Sequence, residues 1–139
     1  MILLDTNVLS ALMRREAEAS VVQWLDTQPS ESIWTTAVSV FEVRLGLEIL
    51  TAGRRRRLLE EAFRKAIEED FENRVADLDQ PAAEAAAGLA AERRQAGRPV
   101  EVRDVLIAGI ATARKATLAT RNLRHFDGLG LRLIDPWAV

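Results

Sequence analysis

At 139 residues the chain has the size of one ordinary domain, able to bury roughly two-thirds of the surface its unfolded form exposes, so a single domain over 1–139 is expected. Cysteine is absent, which excludes disulfides, thiolate metal sites and cysteine nucleophiles, and no apolar run approaches the roughly 18 residues of a membrane span. A net charge of only -2 argues against a broadly basic nucleic-acid grip while leaving room for an enzyme that touches RNA briefly, and with no basic leader before Asp5 a cytoplasmic location is expected.

The chain opens on Ile2-Leu3-Leu4, a short apolar run that reads as a buried strand and is cut off by Asp5. Ser32 to Thr36 reads as a second strand, and a helix is expected from about Ser39, with Val38, Glu42, Leu45, Gly46 and Ile49 on one face and Glu48 paired with Arg44 on another. From Arg54 to Phe71 the residues Leu58, Leu59, Ala62, Phe63, Ala66, Ile67 and Phe71 form an apolar stripe. On its other side Arg56 and Glu60, Arg57 and Glu61, Arg64 and Glu68, and Lys65 and Glu69 stand four apart. The run Arg54 to Arg57 is therefore a solvated, salt-bridged face. Arginine, which also clusters at Arg14-Arg15 and Arg93-Arg94, can grip phosphate with two parallel hydrogen bonds, yet a GC-rich genome would give the same bias.

Arg74 to Leu78 forms a third candidate strand. Asp79 ahead of Pro81 opens the next helix as cap and first-turn proline, and Gly97 closes it. A helix from Asp104 to Lys115 follows, apolar on every side from Val105 to Ala111, then a fourth strand at Ala116 to Thr120 and a possible fifth at Leu131 to Ile134. Strands alternating with helices specify an α/β domain built on a parallel sheet.

Three acids are expected at one edge of that sheet. Asp5 directly follows the first strand, at the carboxyl end where open parallel sheets carry their ligand sites. Glu42 falls in the first turn of the helix that follows the second strand. The helix that opens at Asp104 runs antiparallel to the fourth strand, which places its first residue at the same edge, and Asn122 leaves the fourth strand there too. Each has an ordinary reading: Asp5 and Asp104 as helix caps, Ser39 with Glu42 as a capping box, Asn122 as a turn residue. Four separate segments delivering oxygen side chains to one edge, with no basic residue built into the same helical faces, tips the balance toward a site. Carboxylates so placed repel one another unless a cation intervenes. Oxygen ligands alone point to Mg²⁺ or Mn²⁺ and to phosphate chemistry.

These residues resemble the PIN-domain family, and within it the VapC-type toxins of bacterial toxin-antitoxin pairs. The likeness runs through Leu4-Asp5-Thr6-Asn7-Val8, Glu42 with Arg44-Leu45-Gly46, Asp104 to Ala108, Thr120-Arg121-Asn122 with Phe126, and Asp135-Pro136-Trp137. It implies a three-layer α/β/α fold with strand order 3-2-1-4, a homodimer, Mg²⁺-dependent endoribonuclease activity and a cognate, VapB-like antitoxin that blocks the site. By position, Asp5 and Asp104 match the family's main metal ligands and Glu42 its third acid. The fourth acidic position falls at Asn122, where relatives often carry aspartate, so the number of metal ions is left open. Thr6 and Thr120 would orient ligands or water, or simply satisfy a turn after a strand; Arg121 and Arg124 would meet substrate phosphates, or stand solvated as loop arginines; and His125 is given no role. Two alternatives were weighed. A phosphatase with Asp5 as nucleophile would need a second acid where Asn7 stands, and the chain has no lysine placed plausibly as the usual partner of that nucleophile. An inert PIN-like module that binds RNA or a partner without cutting is the other.

Overall fold

A computed structural model describes residues 1–14 and 18–139, so Arg15 of the Arg14-Arg15 pair lies outside the described residues. The strands are β1 (Ile2–Leu4), β2 (Ile33–Thr36), β3 (Val75–Ala76), β4 (Thr117–Ala119) and β5 (Arg132–Ile134). They form one sheet in the order β3-β2-β1-β4-β5, every neighbouring pair parallel, so the fifth strand extends the expected order at its outer edge. The helices are α1 (Thr6–Met13), α2 (Ala19–Asp26), α3 (Ala37–Glu48), α4 (Arg54–Lys65), α5 (Gln80–Gln95), α6 (Val102–Arg114) and the single turn α7 (Leu123–Phe126).

The register explains how so short a sheet is covered on both faces. Leu3 is paired with Trp34 and Leu118, and Leu118 with Leu133. All four pack into one cluster with Ile107 and Ile110 of α6 and with Ala82 and Leu89 of α5. Their neighbours in sequence, Leu4, Ile33, Ala119 and Ile134, point to the opposite face among Val8 and Leu9 of α1, Val21 and Trp24 of α2, and Val43 and Leu47 of α3. Strand alternation with period two thus divides the apolar residues between two helical layers, giving the α/β/α arrangement.

Several boundaries depart from the sequence expectation. α3 begins at Ala37 because Thr36, extended at the end of β2, turns its hydroxyl onto the Ser39 N–H at 3.0 Å. Thr36 is therefore the cap, and Glu42 stands in the second turn. α6 begins at Val102, capped by the Glu101 carboxylate on the Arg103 N–H at 3.2 Å, so Asp104 is a first-turn residue. The helix expected to run to Phe71 is α-helical only to Lys65 and widens into a π-turn over Ala66–Asp70 before Phe71 enters the core. Leu45, Ile49 and Leu58, assigned to buried faces, are exposed, because the inner contacts of α3 are made by Val38, Val43 and Leu47. Of the expected pairs, Arg56 meets Glu60 at 3.3 Å, and also Glu48 at 3.1 Å, and Arg64 meets Glu68 at 2.6 Å, whereas Glu61, expected opposite Arg57, pairs with Arg64 at 2.5 Å because that guanidinium lies one turn away on the same side.

α5 and α6 lie side by side on one face, and their separation is set by small residues. A Cβ placed on Gly109 would stand 2.4 Å from the Ala82 carbonyl oxygen and 2.7 Å from the Ala86 nitrogen. These are backbone atoms of α5 that cannot swing aside. Gly109→Ala is therefore expected to force the two helices apart and lower stability by on the order of 1–3 kcal/mol, read from the midpoint of a urea unfolding curve. An unchanged midpoint would show that the helix pair accommodates the methyl group by sliding.

Candidate active site

The carboxyl edge of the sheet is pinned by main-chain bonds that continue the ladder one residue past each strand. The Asp5 N–H donates to the Ala119 carbonyl at 3.0 Å, and the Thr120 N–H donates to the Ile134 carbonyl at 2.8 Å. Asp5 and Thr120 are thereby neighbours, although far apart in sequence, and the Thr120 hydroxyl donates to Asp5 Oδ2 at 2.5 Å. Asp5 Oδ1 accepts the Val8 N–H at 3.2 Å, so the aspartate also caps α1. The cap reading of this residue holds, and the same side chain lines the pocket at the sheet edge. Thr120 is fully buried, and its oxygen in turn accepts the Asn122 N–H at 3.0 Å, which fixes the path of the chain leaving β4.

Asp5, Glu42, Asp104 and Asn122 all line one open pocket of about 250 Å³ together with Thr6, Asn7, Glu101, Arg103, Ile107 and His125. A larger cavity of about 520 Å³ lies at the amino end of the sheet beside Ile33, lined by Leu12, Val22, Leu25 and Phe71. Its lining carries two acids, Asp26 and Asp70, against the four that line the smaller pocket. Within it each acid has its own support. Glu42, half-buried, accepts the Thr6 hydroxyl on Oε1 at 3.0 Å and stands 3.8 Å from the Arg103 guanidinium on Oε2. The Thr6 hydroxyl has Glu42 and Ser39 as acceptors within reach, of which the carboxylate is the stronger, and the Ser39 hydroxyl oxygen lies 3.3 Å from the Thr36 hydroxyl, which donates to it. Asp104 Oδ2 meets His125 Nδ1 at 3.0 Å. The side chain of Asn122 takes no part in capping α7 and faces the pocket.

Two residues here were passed over in the sequence. His125 was given no role, and Arg103 lies beside an acid that was expected to have no basic neighbour. Both face their partners across elements that sequence spacing does not connect. Arg121 stacks over the Trp137 ring with its guanidinium 4.9 Å from the centroid, and the Trp137 indole N–H donates to Glu18.

The electrostatics single out two of the acids. Burial holds the Asp5 carboxyl above its ordinary range, with the Thr120, Val8 and Asn7 hydrogen bonds opposing and the Asp104 charge adding to the rise. Burial likewise raises Asp104, against the pull of the His125 imidazole. As the side chains stand, no three acidic or histidine groups among the described residues converge closely enough to ligate one ion. The donor set nevertheless fits a hard divalent cation: a buried carboxylate and a half-buried one that repel each other, every candidate donor an oxygen, and a metal such as Mg²⁺ that needs only one or two carboxylates besides water and phosphate.

Known proteins resemble this chain over nearly its whole length. The family model of the PIN domain matches residues 2–130. The plasmid stability protein StbB of Pseudomonas syringae pv. tomato is 42% identical over 137 residues, 99% of each chain. The VapC ribonuclease Y4jK of Sinorhizobium fredii is 34% identical over 137 residues, 99% of this chain and 98% of its own. The crystal structure of FitAcB from Neisseria gonorrhoeae superposes with a TM-score of 0.89 at 32% identity and covers all of both chains.

A carboxyl whose folded pKa lies above its unfolded value favours the fold when protonated. That contribution is complete below the ordinary aspartate range and is lost as pH rises through the raised value. With divalent ions chelated, Asp5→Asn is therefore expected to melt at a higher temperature than wild type at neutral pH, the gap closing as pH falls below the ordinary aspartate range. Calorimetric melting across pH checks this, and a lower neutral-pH Tm would mean that the hydrogen bonds to the charged form outweigh its burial.

Proposed function

The chain belongs to the PIN-domain family, in its VapC-type branch, and on that premise we propose that it is a metal-dependent endoribonuclease, the toxin of a toxin-antitoxin pair. The observation that carries the reading is that Asp5, Glu42 and Asp104, from three separate elements, line one pocket at the carboxyl edge of a parallel sheet, Asp5 buried, Asp104 half-buried and both raised. The relative named a VapC ribonuclease, aligned along almost its whole length, supports the reaction class. The relative named a plasmid stability protein and the FitAcB assembly support a role beside a cognate antitoxin.

Asp5 and Asp104 would hold a Mg²⁺ or Mn²⁺ ion, with Glu42 as the third acid and Asn122 offering a neutral amide oxygen. The ion, when bound, supplies Lewis acidity that lowers the pKa of water and offsets the charge developing on a phosphodiester during in-line displacement. The rest falls to the chain. Thr120 donates to one oxygen of Asp5 and the Val8 N–H occupies the other, which locks the rotamer of a carboxylate that must present itself to the pocket. Thr6 holds Glu42 against α1, and His125 holds Asp104 from the opposite wall. Such partners orient ligating groups and are worth roughly 10–100-fold each in metal affinity or activity. Asn122, with no charge, lowers the demand for a second ion.

Wild type is expected to cleave RNA with Mg²⁺ or Mn²⁺ and to stop on chelation, while Asp5→Ala and Asp104→Ala lose on the order of 10²–10³ in rate and relieve growth arrest on expression. Calorimetric titration of Mn²⁺ into wild type and Asp104→Ala tests the site apart from turnover: no binding by wild type, or none lost in the variant, would favour an inert module. Thr120→Ala should leave the fold intact and weaken Mn²⁺ affinity by roughly 10–100-fold. An unchanged affinity would remove the positioning role of that hydroxyl.

A further inference from the structure

Beside the acidic pocket lies a second one of about 280 Å³ that shares Glu101, Asp104 and His125 with it and carries Arg93, Arg98 and Arg124. The two differ in sign. The acidic pocket sets four carboxylates against Arg103, whereas this one sets three guanidinium groups against two carboxylates. Arg93 is only 9% exposed, and a buried cation is costly unless a counter-charge meets it. Its Nη2 donates to the carbonyl oxygens of His125 at 2.7 Å and Asp127 at 3.1 Å, and its buried Nε has no partner among the described residues. Arg98 donates to the same Asp127 carbonyl at 3.2 Å. Carbonyl dipoles fix these side chains without cancelling their charge. Arg124, exposed on α7, meets no acidic side chain among the described residues.

The geometry points to a phosphate subsite: the Arg93–Arg98–Arg124 pocket takes a backbone phosphate of the RNA next to the one that is cleaved. Arg98 and Arg124 donate to that phosphate, while Arg93 contributes a fixed charge from beneath and braces the loop that carries His125. A repeating phosphodiester suits the pair of pockets because one polymer can set one phosphate over a cation held by acids and its neighbour over arginines. The subsite also answers how an anionic strand approaches a pocket lined with carboxylates. Phosphate contacts of this kind set register without reading sequence. The inference rests on the ribonuclease reading and adds a part of the substrate to it.

The test uses the full chain carrying Asp5→Asn, so that bound RNA is not cut, with and without Arg98→Gln and Arg124→Gln. Binding of a fluorescein-labelled, mixed-sequence single-stranded RNA dodecamer is followed by anisotropy over a range of salt. Loss of two phosphate contacts should weaken binding roughly tenfold at low salt, equally for two unrelated sequences, and flatten the slope of log K against log salt by about 1.4, or about 0.7 per contact. In the catalytically intact chain the same two substitutions should raise KM for RNA cleavage. If wild type cleaves RNA while the double variant keeps its KM and its salt slope, the subsite is overturned and the ribonuclease reading stands. If wild type cleaves no RNA and the Asp5→Asn chain binds none, both fall together.

Discussion

Asp5 is buried just past the last residue of β1, where one of its oxygens closes the first turn of α1 and the other takes the Thr120 hydroxyl from beyond β4. This one side chain ties the central strand, its neighbour and the first helix together at the rim. A carboxylate in that position needs donors, and two are supplied. They do not fully offset the loss of water, since its carboxyl stays above the ordinary range with Asp104 close enough to add to the rise. The arrangement is locally well satisfied in hydrogen bonds and poorly satisfied in charge.

Around Asp5 the rim has electrical structure. Glu42 and Asp104 each lean on a neighbour from another element, Thr6 in one case and His125 in the other, so the acids are spaced and oriented by α1 and by the loop after β4. The loop is in turn held by Arg93 and Arg98 through main-chain carbonyls. Acidic and basic pockets therefore share a wall, and the residues of that wall, Asp104 and His125, answer to both.

The sheet was legible because its strands are the only short β-branched and apolar runs, and the pairing order followed from the resemblance rather than from periodicity. Asp5 was legible as cap and as candidate acid alike. The start of α3 was not, because Thr36 and Ser39 are both competent hydroxyl caps, and the choice was made by the extended backbone that Thr36 inherits from β2. His125 was missed for a different reason. A lone histidine in a polar turn carries no periodic signal, and its partner Asp104 sits on a helix that reaches it only through the return of the chain along β4. The exposure of Leu45, Ile49 and Leu58 was hidden by an apolar stripe that reads as core when helices are taken one at a time. The π-turn at Ala66–Asp70 has no counterpart in the residue pattern, and no physical account of it follows from its neighbours.

The bond between Asp5 and Thr120 spans 115 residues of chain. A polypeptide still emerging from the ribosome therefore lacks the donor that completes its first acid until nearly the whole sequence has been made, and β1 must wait unpaired on that side for β4. Premature termination anywhere before Thr120 leaves fragments with an incomplete rim. The rim is thus completed only when the last strands arrive.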